Sequence, residues 1–208
     1  MKLKLGRAIT ATATAALACA AFASPASASL LTASASSCGD QSLSQPFAAY
    51  GDGSQYKRVA GGDFESGAAG WTLTGGAKVV AGNESAKVGG ASDGSSLSLP
   101  FGSTATSPAA CVGLGEPTLR LFAKRNSGLL TTLSVSVELK TSLGLSLWVP
   151  VLPGDLGGGT WHPTAAMPMV VNDLTLSSTD LTPVRFRFTP VLGSWQIDDV
   201  YVDPFMKR

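Results

Sequence analysis

From about residue 59 onward the chain alternates apolar and polar positions with a period of two. In the stretch TTLSVSVEL, Leu133, Val135, Val137 and Leu139 share one parity, and Ser134, Ser136 and Glu138 share the other. This is the pattern of a strand buried on one face. The same rule sends Leu119, Leu121 and Ala123 of LRLFAK inward, and Leu143, Leu145, Leu147 and Val149 of LGLSLWVPVL inward. In VRFRF it buries Val184, Phe186 and Phe188 and turns Arg185 and Arg187 outward. The shorter segments AKVVAG, SLSLPF, LTLSS and WQIDDVYV also read as strands, with GGASDG, KRNSG, PGDLGGG and SSTD as turns between them. After the first 28 residues no segment keeps a period of 3.6 over three turns. Many short strands without helices predict an all-β sandwich or barrel.

The beginning of the chain follows other rules. Lys2, Lys4 and Arg7 precede a small, apolar run over 8–23, and Ala26-Ser27-Ala28 has the small-x-small form of a signal-peptidase site. Residues 1–28 therefore read as a signal peptide, which makes the protein secreted with Ser29 as its first mature residue. The run is short for a membrane anchor and no second one follows, so no membrane anchor is expected. Residues 29–58 lack sustained alternation and read as an extended N-terminal arm, with Phe47 and Tyr50 expected to pack on the sandwich formed by residues 59–208.

Export changes the meaning of the cysteines and of the charge. Cys19 leaves with the signal peptide, and Cys38 and Cys111 remain as the one possible disulfide in an oxidising compartment, the alternative being two buried thiols. Neither has the spacing of a zinc knuckle or a redox CxxC pair. Loss of Lys2, Lys4 and Arg7 takes the 15 basic residues to 12 against 14 acidic ones, so the mature chain carries about two negative charges. That balance argues against nucleic acid as a partner, because phosphate binding needs a concentrated basic surface. About 180 mature residues suffice for one well-filled core.

Catalytic constellations are sparse. The single histidine, His162 in GGTWHPT, has no GxSxG elbow and no second histidine, which leaves serine hydrolysis and zinc hydrolysis without their usual parts. Two carboxyls suffice for glycoside hydrolysis, but nothing singles out a pair among Glu65, Glu84, Glu116 and Glu138. A non-enzymatic protein is expected.

The stretches GGDFESGAAGWTLTGGAKV, ESAKVGG with SSLSLPF, and WQIDDVYVDP resemble the opening, middle and closing motifs of carbohydrate-binding-module-like jelly rolls of the galactose-binding-like superfamily. The resemblance spans roughly 59–204 and implies an all-β jelly-roll β-sandwich of about eight antiparallel strands, with the first and last strands side by side. One departure is Gly61, where the family often has Asn. The resemblance also implies a structural calcium ion joining the chain ends. Glu65 and Asp198 are then the first candidate ligands, Asp63 and Asp199 the reserves, and carbonyls near Ser85 to Val88 complete an irregular oxygen shell. On the residues alone, Asp63 starts a turn, Glu65 is solvated and Asp199 caps a strand end.

Sugar recognition asks for exposed aromatic planes with polar groups beside them. Trp71 and Trp195 fall in motif positions that the resemblance assigns to the core. Trp148 takes the outward parity of its strand with Gly144 and Ser146, Trp161 follows a glycine-rich turn, and Arg185 and Arg187 face outward with Arg120 and Lys124. Trp148, Trp161, Arg185 and Arg187 are thus the candidate ligand-binding residues, for a polysaccharide or cell-surface glycan. The competing expectation is a secreted structural or cell-surface interaction protein with no sugar site, whose outward arginines only solvate a sheet and discourage aggregation. Oligomeric state has no signature in the chain.

Overall fold

The computed structural model describes residues 42–113, 117–141, 143–151, 156–169, 171 and 181–205. The signal peptide, Cys38, and the LTLSS segment lie outside the described residues, so the Cys38–Cys111 pairing does too. Among the described residues there is no α-helix, only a 3-10 turn at Ala48–Tyr50 and eleven strands. These are β1 (Lys57–Arg58), β2 (Thr72–Thr74), β3 (Lys78–Ala81), β4 (Ser95–Leu99), β5 (Thr104–Thr106) and β6 (Ala110–Val112), followed by β7 (Thr118–Lys140), β8 (Ser146–Val151), β9 (His162–Pro163), β10 (Met167–Pro168) and β11 (Thr182–Asp203). All pairings are antiparallel.

Two long strands organise the rest. β7 and β11 pair along almost their whole length, from Val184 opposite Leu139 to Asp203 opposite Thr118. Where KRNSG predicts a turn between two strands, the backbone instead continues as one strand, and the register shifts between Pro190 and Trp195 mark a bend in the ribbon. On one side of the bend the ribbon is flanked by β8, β5, β6 and, through β5, β2; on the other it is flanked by β9, β10, β4, β1 and, through β4, β3. The ribbon therefore belongs to both layers of a β-sandwich. Gly128 (φ 89°) and Gly193 (φ 72°) meet at the bend, and a Cβ on Gly193 would lie 2.1 Å from Thr131 Cγ2 and 2.4 Å from Ser127 O. Only glycine fits both the left-handed backbone and the space.

Alternation then fills the core. Leu133, Val135, Val137, Leu139, Val184, Phe186 and Phe188 from one layer are buried with Leu97, Leu99, Leu119, Leu121, Ala123 and Ile197 from the other. Trp71 and Trp195 also lie in the core; Trp71 stacks on Phe188 and donates its indole N–H to Ala60 O at 2.9 Å. Phe122, on the outward parity, is covered by the N-terminal segment: Phe47, Tyr56 and Tyr201 bury with it in a second cluster, while Tyr50 meets the Phe122 ring edge-on at a centroid distance of 5.7 Å. Asp52 holds this segment down by accepting from Tyr56 Oη and from Arg120, whose guanidinium lies over the Phe47 ring.

The inward expectation fails for part of one segment. β8 begins only at Ser146, so Leu143 and Leu145 sit in the connection before it at 74% and 62% exposure. Leu147 has the inward parity opposite Leu139, but it stands at the end of the strand and is 48% exposed.

The opening and closing motifs meet as expected. β1 pairs with β11 at Lys57–Val202 and Arg58–Tyr201, and Val200 exchanges backbone hydrogen bonds with Val59 and Gly62. Gly62 is needed there, since a Cβ would lie 2.9 Å and 3.0 Å from the carbonyl oxygens of Val59 and Val200.

The bend gives a direct test. Gly193→Ala should cost about 2–3 kcal/mol, a fall of roughly 4–10 °C in Tm. Gly144→Ala, at φ 78° with nothing within 4 Å of the new Cβ, should cost only about 1 kcal/mol. Thermal melts of the two variants that give equal losses would refute the crowded bend.

Candidate functional site

The seam between the chain ends concentrates acidic groups. A register shift between Asp198 and Tyr201 inserts one extra residue into β11, and this bulge leaves Asp198 and Asp199, adjacent in sequence, both essentially inaccessible. Asp198 is satisfied: its Oδ1 accepts from Asp199 N at 2.9 Å and its Oδ2 from Glu84 N at 3.2 Å. Glu84, itself buried, accepts from the backbone N–H groups of Ala86 and Val88. Asp63 pairs with Arg58 at 2.9 Å, and Glu65 Oε1 accepts from Gly94 N and Ser95 N at 2.9 Å and 2.7 Å.

Asp199 is the unsatisfied member. Both of its carboxylate oxygens are buried without a hydrogen-bond donor, as are Asp93 Oδ2 and Asn83 Oδ1. Asp93 Oδ2, Asp199 Oδ1 and Arg58 Nη1 converge on Gly89, lying 2.5, 2.9 and 3.4 Å from where a Cβ would stand. Burial, followed by the neighbouring charges of Glu84 and Asp93, pushes Asp199 up to about 7. Burial and then Asp199 push Asp198 up to about 9. Asp93 is raised too, by burial and then by Glu65 and Asp63. The three non-glycine residues of positive φ among the described residues, Phe64, Lys87 and Asp199, all lie in the segments that form this seam, so the non-glycine backbone strain of the described residues is concentrated there. Among the described residues no three acidic, histidine or cysteine side chains are grouped closely enough to hold a metal by themselves, so a cation here would depend on backbone and amide carbonyls as well.

The seam thus brings together Asp63, Asp198 and Asp199 and keeps Glu65 at its rim. Sequence reasoning missed Asp93 and the burial of Glu84. Asp93 looks like an ordinary turn residue in ASDG and Glu84 like a loop tip; the hydrogen bond from Glu84 N to Asp198 across 114 positions reveals the one, and the convergence of Asp93 with Asp199 beside Gly89 reveals the other.

The second arrangement lies on the outer face of the layer carrying β8. Trp148, Glu138 and Arg185 stand directly opposite one another across β8, β7 and β11. Glu138 is buried at 3% exposure and accepts from Arg185 Nε. That hydrogen bond holds Glu138 below the usual carboxylate range and raises Arg185. Arg187 stands opposite Ser136, whose small side chain leaves room for the arginine to cross to the next strand, and its guanidinium carbon lies 3.5 Å over the Trp148 ring. Trp148 is half-buried, and next to it Glu138, Lys140, Arg185, Ala109 and Pro183 line a hollow of about 230 Å³.

Trp161 is not part of this face. It packs partly buried against the Phe47–Tyr56–Phe122–Tyr201 cluster in the other layer, with Lys124 Nζ 5.0 Å from its ring. His162 in β9 has Nδ1 3.0 Å from Thr160 O and no acidic partner among the described residues. No described helix is long and apolar enough to cross a membrane.

No family model and no curated protein matches the chain. Among solved structures, a xylan-binding domain of carbohydrate-binding module family 22 is 14% identical over 76% of this chain and 99% of its own, with a TM-score of 0.49. The CBM22-1–GH10 modules of Clostridium thermocellum xylanase 10B are 16% identical over 70% of this chain, with a TM-score of 0.48. The enzymatically active domain of bacteriophage CBA120 tailspike protein 4 is 18% identical over 70%, with a TM-score of 0.45. The match covers 27% and 21% of the last two. At these identities and TM-scores the likenesses transfer no residue role to this chain.

Proposed function

We propose that this is a secreted, non-catalytic polysaccharide-binding β-sandwich whose binding face is the outer sheet surface carrying Trp148, Arg185 and Arg187. The observation that carries this reading is the Trp148 ring lying beneath the Arg187 guanidinium and beside a polar hollow. Ring and guanidinium together form a flat step of the kind that packs against the C–H face of a sugar, and the flanking charged groups meet hydroxyls. Trp161, partly buried in the other layer, would have to act apart from this face.

The same reading gives the seam a calcium ion. The donors that fit are the orphaned oxygens of Asp199 and Asp93, with Asn83 Oδ1 and the neighbouring loop carbonyls. Asp63 and Glu65 stand at the rim, and Asp198 supports through Glu84 N and Asp199 N. A hard cation suits an irregular all-oxygen shell of this kind, and its role would be to join the first and last strands.

A second reading, a structural or surface-interaction protein without a sugar site, draws support from the exposed Leu143, Leu145 and Leu147 beside β8. Pull-down on insoluble polysaccharides and a glycan array separate the two. The first reading expects retention that falls at least tenfold with Trp148→Ala while the Tm holds within a few degrees. Absence of binding to every glycan rejects it. Export is checked by intact mass of the protein recovered from culture medium, which should begin at Ser29.

For the cation, calcium should raise the Tm of chelator-treated protein, and an unchanged midpoint rejects the site. In chelator, the raised values of Asp198 and Asp199 set the pH trend. Their protonated forms stabilise the fold fully below about pH 4, and this contribution is lost as pH rises through about 7 and about 9. The metal-free Tm should therefore fall from pH 5 to 9 while the gain from calcium grows. A metal-free Tm that rises across this range contradicts the burial of these carboxyls.

A further inference from the structure

We infer that the Trp148 face takes an acidic, uronate-bearing polysaccharide in preference to a neutral one; this rests on the polysaccharide-binding reading and names its ligand class. The charge on the face is the first ground. It carries three cations, Arg185, Arg187 and Lys140, against one carboxylate, Glu138, in a chain whose 15 basic and 14 acidic residues nearly balance. Glu138 is already engaged, since it accepts from Arg185 Nε. Among the described residues neither Arg187 nor Lys140 is ion-paired with a carboxylate.

The second ground is the posture of Arg187. With its central carbon 3.5 Å above the Trp148 ring, the guanidinium must lie flat on the indole, because an edge-on fork would drive a nitrogen into it. Stacking leaves the in-plane N–H donors pointing sideways over the sheet, and no acceptor for them is found among the described residues. A planar fork held in one orientation matches a carboxylate bidentately and loses little freedom on binding it. The third ground is the adjoining hollow of about 230 Å³, where Lys140 and Arg185 supply positive potential and Glu138, tied to Arg185, offers little repulsion. A sugar whose ring rests beside Trp148 would carry its carboxylate between Arg187 and this hollow.

Polygalacturonate and its fully methyl-esterified form share a backbone and differ in charge, so they test this directly by isothermal titration or affinity electrophoresis. The acid form is expected to bind at least tenfold more tightly than the ester and to weaken as salt is raised. Lys140→Gln should remove much of that difference and leave binding of the ester unchanged, whereas Arg187→Gln should remove most of it and also weaken the ester, because the guanidinium is part of the step stacked on Trp148. Equal binding of acid and ester, or binding of the ester or of neutral polymers alone, overturns this inference and leaves the polysaccharide-binding reading standing. A preference for the acid form that survives both substitutions also overturns it. Absence of binding to every polymer overturns the inference and the reading together.

Discussion

The bend in the β7–β11 ribbon is the constraint on which the rest of the sandwich depends. Each strand is longer than 20 residues, well beyond the usual strand, and each must leave one layer and enter the other without breaking its pairing. Gly128 and Gly193 make that possible, because their left-handed backbones absorb the register shift and their missing side chains let the strands stay in contact around Thr131. Every other strand adds to one half of this ribbon or to a neighbour already on it. The core forms because the two halves, once folded over, turn their apolar parities toward each other.

The seam at the chain ends faces a different physical problem. Burying a carboxylate without a partner is among the costliest things a fold can do, and Asp199 has two buried oxygens without donors. Such a group takes up a proton or binds a cation. Its upward shift to about 7 is the first response, and calcium would be the second. The positive φ of Phe64, Lys87 and Asp199 adds a backbone cost at the same place, which the proposed calcium ion would help to offset.

The legible and illegible parts of the chain divide along a physical line. Period-two alternation reported which side of a strand is buried wherever the strand has neighbours, so the inward set of β7 and β11 and the outward placement of Trp148, Arg185 and Arg187 were readable from residue order. The same alternation misled at Leu143 and Leu145, because an apolar pattern can run past the end of its strand into a connection. KRNSG looked like a turn because a bend between layers uses the same residues as a hairpin; glycine at positive φ serves either. The pairing of GGDFE with DDV was accessible through the motif resemblance. The acidic cluster was only half accessible, because Glu84 and Asp93 sit in polar loops whose local sequence is that of solvated turns, while the burial of Glu84 and the enclosure of Asp93 Oδ2 depend on a strand more than a hundred residues away.

The division of labour within β11 explains how such a fold can carry a specific surface. Val184, Phe186 and Phe188 hold the layers together, while Arg185 and Arg187, one position away from each, face solvent and make no contribution to the core. Residues of the outer parity can therefore change with small effect on folding, so their identity reports other demands. If only solubility were at stake, scattered charges of both signs would serve. Instead the one carboxylate is buried and bound, one arginine is laid on a tryptophan across a serine, and the remaining positive charge is left open to solvent. A sheet face whose aromatic and cationic groups are ordered by each other, and not by the core beneath them, is the arrangement that the proposed polysaccharide-binding face requires.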